Sequence, residues 1–401
     1  MFHDSTHRNT ACVGWCCYDD DMRWDLVLAV TAFAIACRSA SSERLSDTGT
    51  SSSALTVSPE RAVAARLGLK PRFSFGLGND AESYNANDMS AYKLGVKPDI
   101  HYMYLSNLDW PEWNRGQYVT MHVEAARLRG IVPMFTLYQA ATWGEKKLNA
   151  FVDPTFMTAY WRGVRVMFQR LGEANVPAIA HIEPDLWGYF QQRGLAADTP
   201  VQVRLVPECA TLTQNVVGFG TCVVRLARKL APKVIVGLHA STFGAYTNGR
   251  SDADKVGAYL KSVGGSEADI IVVETLDRDA GCFEAAALPQ CQRKGDFYWD
   301  DADYRQHLEW VATIRNVTGK PILWWQMPLG VPSETPGGLP GRYRDNRVRY
   351  TFDNAWRFAQ VGGIGAVFGE GARDQTTVRT DGGQFKDALT KYLASGGNRL
   401  R

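Results

Sequence analysis

Three apolar runs of this chain finish on, or just before, a glutamate. Glu183 closes the run 178–183, Glu274 closes 270–274, and Glu370 follows 364–369. A carboxylate carried at the end of an apolar run is costly to bury unless it is paired or protonated. If several such groups converge, desolvation and mutual repulsion push their pKa values apart. One then keeps its proton while another is ionised, which is what acid-assisted cleavage of a glycosidic bond requires. Asp185, two residues beyond Glu183, can project to the same side or cap the next turn.

Other polar and aromatic residues sit at corresponding places. Tyr104, Trp110, Tyr138, Trp187, Trp324 and Trp325 offer flat faces for a sugar ring, and Gln139, His239 and Gln326 offer hydrogen bonds to hydroxyls. The chain has 12 Trp and 16 Tyr, more aromatic surface than a core of this size needs. His181 is expected to be a core histidine.

These residues need a scaffold that gathers strand ends. Eight apolar runs, at 72–77, 100–105, 131–137, 178–183, 234–239, 270–274, 321–326 and 364–369, have the continuous character of strands buried on both faces. Helical patterns lie between them. In 155–173, Phe156, Tyr160, Val164, Met167 and Phe168 share one face, and Asp153-Pro154 has the form of a cap followed by a first-turn proline. Residues 302–316 and 346–361 are similar. Eight strand–helix units predict an α/β fold, a (β/α)8 barrel over 57–401 that forms a single catalytic domain. Active sites of such barrels lie at the carboxyl ends of the strands. No glycine-rich phosphate loop follows the first strand, so a nucleotide-binding sheet is disfavoured.

The amino-terminal part differs. Residues 1–21 are polar and carry Cys12, Cys16 and Cys17; they are expected to be an upstream extension. Residues 22–37 have the form of a signal peptide, with an apolar run ending in Ala34-Ile35-Ala36-Cys37 that resembles a bacterial lipoprotein box and would lipidate Cys37. The Ser/Thr-rich stretch 38–56 is a tether. The expectation is an exported chain, secreted or anchored to a membrane by lipid. Four further cysteines fit an oxidising compartment. Three pairings are possible, and the short separations favour Cys209–Cys222 and Cys282–Cys291. No Cys/His cluster has zinc spacing, and neither a metal nor another cofactor is expected. The net charge of +2 gives no reason to expect nucleic acid.

Ile182-Glu183-Pro184-Asp185 resembles the strand-end IEPD segment of glycoside hydrolase family 6 cellulases. That resemblance implies an acidic residue in an active cleft. A pair on strands four and six is similar in placement to α-galactosidase-like barrels, which use aspartates. The common retaining barrels instead carry Asn-Glu on strand four and Glu on strand seven, where this chain has Gln326. Segments 324–328 and 344–347 resemble uncharacterised secreted bacterial barrel proteins.

The expected function is hydrolysis of a poly- or oligosaccharide, with Glu183 as general acid/base, Glu274 as its partner, and Asp185 and Glu370 as reserves. Segments 186–208, 277–300 and 327–346 would wall the cleft. Two alternatives stay open. A phosphodiesterase would hold Mg2+ or Ca2+ on Glu183, Asp185 and Glu274; against it, Arg278 is the one basic residue near these ends. A carbohydrate-binding barrel without catalysis is the other.

Overall fold

Each of the eight apolar runs forms one strand of a closed, all-parallel barrel in the computed structural model, which describes residues 57–78, 85–140, 147–193, 197–333 and 336–401. The strands are β1 (Ser74–Gly78), β2 (Ile100–Ser106), β3 (Val132–Tyr138), β4 (Ala178–Ile182), β5 (Val234–Ala240), β6 (Ile270–Val273), β7 (Ile322–Met327) and β8 (Gly363–Phe368). Neighbours pair in chain order, and β1 closes on β8 with Ser74 opposite Gly365 and Leu77 opposite Phe368. The expected extension, signal peptide with Cys37, and tether lie outside the described residues.

Alternation along each strand sorts its side chains into two layers. One set points into the barrel: Ile100 and Tyr102, Met134, Ile179, Ile235, Ile270 and Val272, Leu323 and Trp325. The other set faces the surrounding helices and includes Leu105, Phe135, Leu137, Ala180, Ile182, Val236, Leu238, Val273 and Trp324. A helix before the first strand, Pro59–Arg66, adds Val63 and, just beyond its end, Leu67 to the interior cluster.

The helix Pro154–Ala174 follows its sequence signals. Asp153 accepts from the amides of Thr155 and Phe156, Pro154 fills the first turn, and Asn175 ends the helix with φ +52°. Phe156, Tyr160, Val164, Met167 and Phe168 are all buried on its inner side. The helix Asp301–Thr318 begins with a capping box between Asp300 and Asp303.

Long connections at the carboxyl ends of the strands are stapled. Disulfides join Cys209 to Cys222 and Cys282 to Cys291. Buried carboxylates tie the segments after β6, β7 and β8 together. Asp279 accepts from the amides of Gly330 and Thr376 at 3.1 and 2.7 Å. Asp345 accepts from the amide of Ala280 at 2.8 Å and pairs with Arg347 at 2.9 Å, both side chains being fully buried. Burial and the neighbouring Asp345 push the Asp279 carboxyl up to about 7. Short hairpins, Tyr246–Thr247 with Arg250–Ser251 and Gly338–Leu339 with Arg342–Tyr343, extend the connections after β5 and β7. Among the described residues, no helix is long and apolar enough to cross a membrane.

Candidate active site

Strand parity directs residues 179, 181 and 183 inward on β4, and the backbone changes that at the last of them. The strand ends at Ile182, and Glu183 takes φ +48°. Its side chain leaves the interior and enters the layer between barrel and helices. There its carboxylate accepts from the amides of Gln139 at 3.0 Å and Ala140 at 3.2 Å. Glu183 is wholly buried. Burial raises its carboxyl to about 8, against the lowering effect of those amides and of the Tyr160 hydroxyl.

Asp185 takes the place at the barrel mouth. It has φ +67° and stands before the helix Leu186–Gln192, but its side chain makes no capping hydrogen bond. Gln326, at the end of β7, has φ +53°. Three of the ten non-glycine residues with left-handed backbone among the described residues are at these strand ends, a conformation that persists only where the surrounding structure holds it.

Asp185 converges with Glu274 and His239. One ligand atom from each of the three lies within 4.8 Å of the others. Glu274 continues the inward parity of Ile270 and Val272 on β6, and His239 does the same on β5. Asp185 and His239 are buried, whereas Glu274 is half-buried. Desolvation holds the Glu274 carboxyl well above the usual range, and the charges of Asp185 and Asp277 add to this, while Arg293 and Arg278 act against it. Arg278 and Arg293 both pair with Asp277, at 3.0 and 3.3 Å.

A line of side chains supports His239 from below. Its Nδ1 lies 3.1 Å from Nε2 of His181, whose Nδ1 lies 3.3 Å from Oγ1 of Thr136. Burial drives the His239 ring down to about 3 and the His181 ring well below its usual value, so both are neutral near pH 7. Nε2 of His239 is buried with no hydrogen-bond partner among the described residues. Trp325 forms the floor, its ring edge-on to His181 at 4.8 Å and to His239 and Tyr104 at 5.8 Å. Tyr104 stands at the rim. Gln326 donates to its hydroxyl, and burial and then the charges around it, including Asp185 and Glu274, raise that hydroxyl well above its usual value.

The expected binding residues divide between the two layers. Tyr104, Tyr138, His239, Trp325 and Gln326 lie at or under the mouth. Trp110, Trp187 and Trp324 are at most 1% exposed, and their indole N–H groups donate to Gln139, the carbonyl of Ile182 and His307. They are core residues in the outer layer rather than stacking surfaces. Gln139 is likewise inaccessible. Its amide joins Trp110 to the carbonyl of Tyr160, and a Cβ at Gly163 would come within 1.8 Å of its Oε1. Glu370 lies two residues past β8, where its carbonyl accepts from Gln326 at 3.5 Å.

Sequence reasoning missed the Thr136–His181–His239 line, although inward parity on β3, β4 and β5 carries its signal. It also missed the buried Asp279 and Asp345 braces. Their acidic type is visible in the sequence, but the loops they join are far apart along the chain.

No family model matches the chain, so the short Ile182–Asp185 resemblance stands alone, and no curated protein matches it. Solved structures do. An engineered protein aligns at TM-score 0.50 and 11% identity, over 83% of this chain and 72% of its own. A D-allulose 3-epimerase from Methylomonas sp. aligns at 0.45 and 11%, over 81% and 98%. A ruminal GH26 endo-β-1,4-mannanase aligns at 0.45 and 12%, over 85% and 67%. At these identities the likeness concerns the fold alone.

Proposed function

We propose that this chain is a retaining glycoside hydrolase in which Glu274 is the general acid/base and Asp185 the nucleophile. The observation that carries the reading is the approach of these two carboxylates to within 4.8 Å at the carboxyl ends of the strands. Pairs about 5–5.5 Å apart accompany retention, whereas inverting pairs stand about 6.5–9.5 Å apart to admit a water. An upper limit of 4.8 Å between one oxygen of each carboxylate is shorter than the inverting range and supports the first class.

The half-buried Glu274, held protonated by desolvation and by Asp185, suits the acid role. In the first step Asp185 attacks the anomeric carbon, the glycosidic C–O bond breaks, and the Glu274 proton goes to the departing oxygen. In the second, water gives a proton to Glu274 and its oxygen displaces Asp185 from the sugar. Tyr104, which accepts from Gln326, and its neighbour Tyr138 would contact the sugar. Glu183 is here a positioning residue. It fixes the end of β3 and the turn that presents Asp185. An exported location fits the two disulfides.

The test is release of reducing ends from a panel of soluble glycans by the parent, Asp185→Asn and Glu274→Gln, each with and without EDTA. The proposal expects turnover that persists in EDTA and is lost in both variants. Full turnover in either variant, or its disappearance on chelation, would overturn it.

A further inference from the structure

We propose that Asp185, His239 and Glu274 form a binding site for one divalent transition-metal ion of the Mn2+, Co2+ or Zn2+ class. The donor set is one imidazole nitrogen and two carboxylates, from the ends of β4, β5 and β6. Their ligand atoms lie within 4.8 Å of one another. Bonds of about 2.1 Å to a common ion at tetrahedral angles place the ligand atoms about 3.4 Å apart. Closure from the 4.8 Å limit therefore requires a contraction of up to about 1.4 Å between ligand atoms, taken up by rotation of the three side chains.

A second observation points to a ligand independently of the acids. With Nδ1 of His239 engaged by His181, Nε2 is the nitrogen left for the two carboxylates, and it is fully buried with no partner among the described residues. A buried polar atom without a partner is costly. A metal–nitrogen bond satisfies it.

The line beneath the ring also fits. Metal-ligating histidines usually donate their other N–H to a fixed acceptor, which sets the tautomer. Here Nδ1–H of His239 can donate to His181, whose own Nδ1–H donates to Thr136 Oγ1. Run in that direction, the line leaves the lone pair of His239 Nε2 toward Asp185 and Glu274. The mixed nitrogen and oxygen set favours a transition metal over Ca2+ or Mg2+, which take oxygen ligands. Three protein ligands leave coordination positions for water or a substrate oxygen.

The cation would take both carboxylates out of acid–base work and inhibit glycan hydrolysis, a consequence that rests on the functional reading above. The binding does not rest on it, and its test reads the metal alone. Full-length protein freed of metal by a chelator is titrated with Co2+ and followed by visible absorption, and with Zn2+ by calorimetry. One equivalent is expected, with ligand-field bands in the visible. His239→Gln and Asp185→Asn should each weaken binding more than about tenfold, while circular dichroism and the unfolding midpoint stay near those of the parent. Glu274→Gln, at a half-buried position, supplies the same test if either of those fails to fold. Absence of cobalt bands and of zinc heat, or parental affinity in the folded variants, would overturn the proposal.

Discussion

Replacing Glu183 by glutamine should change the response of the fold to pH. The carboxyl is wholly buried, accepts the amides of Gln139 and Ala140, and is raised by burial from 4.5 to about 8. Between those values the folded chain keeps a proton that the unfolded chain has lost. Stability therefore falls as pH rises through this window. At 1.36 kcal/mol for each decade, the loss from well below the lower value to well above the upper one is about 5 kcal/mol. Glutamine has nearly the same shape, still presents an oxygen to the two amides, and cannot ionise. Near pH 5 the variant should lie within about 1 kcal/mol of the parent. Near pH 9 it should be the more stable protein by about 3–5 kcal/mol. Asp279, raised to about 7, gives both proteins a slope of the same sign and cancels in the difference. Urea unfolding of parent and Glu183→Gln at pH 5, 7 and 9 measures this directly. Parallel pH profiles, or a variant less stable than the parent at pH 9, would refute the reasoning.

Glu274→Gln should lower kcat by about 10²–10⁴-fold, measured as reducing-end release. Parental kcat should decline as pH rises through the elevated Glu274 value, because the acid is then deprotonated. Asp345→Ala leaves the fully buried Arg347 without its carboxylate and should cost about 3–5 kcal/mol in urea unfolding. Removing the Cys282–Cys291 disulfide, which spans a separation of nine residues, by a double serine substitution should cost about 3 kcal/mol; the same unfolding assay reads it.

Much of the scaffold was legible in the sequence because burial on both faces leaves continuous apolar runs. All eight runs are strands, with ends displaced by no more than about two residues, as expected for strand boundaries. The two disulfides follow from short separations between cysteines. The site was legible only in part. Glu274 follows the alternation of β6, so its inward direction could be read. Glu183 has the same parity, but φ +48° turns it into the outer layer, and no residue type announces that turn. The same turn lifts Asp185 from a reserve to the partner of Glu274. Trp110, Trp187 and Trp324 were indistinguishable from rim aromatics by type. Only their layer shows that their N–H groups are satisfied inside the protein.

The pairing of Asp185 with Glu274 is tested most directly by the stereochemistry of cleavage. The sugar first released from a glycan that the parent hydrolyses can be followed by proton NMR before it mutarotates. The close carboxylate pair predicts that the anomeric configuration of the substrate is retained, and that Asp185→Asn yields no signal. Release of the opposite anomer, or retention that survives Asp185→Asn, would contradict the account.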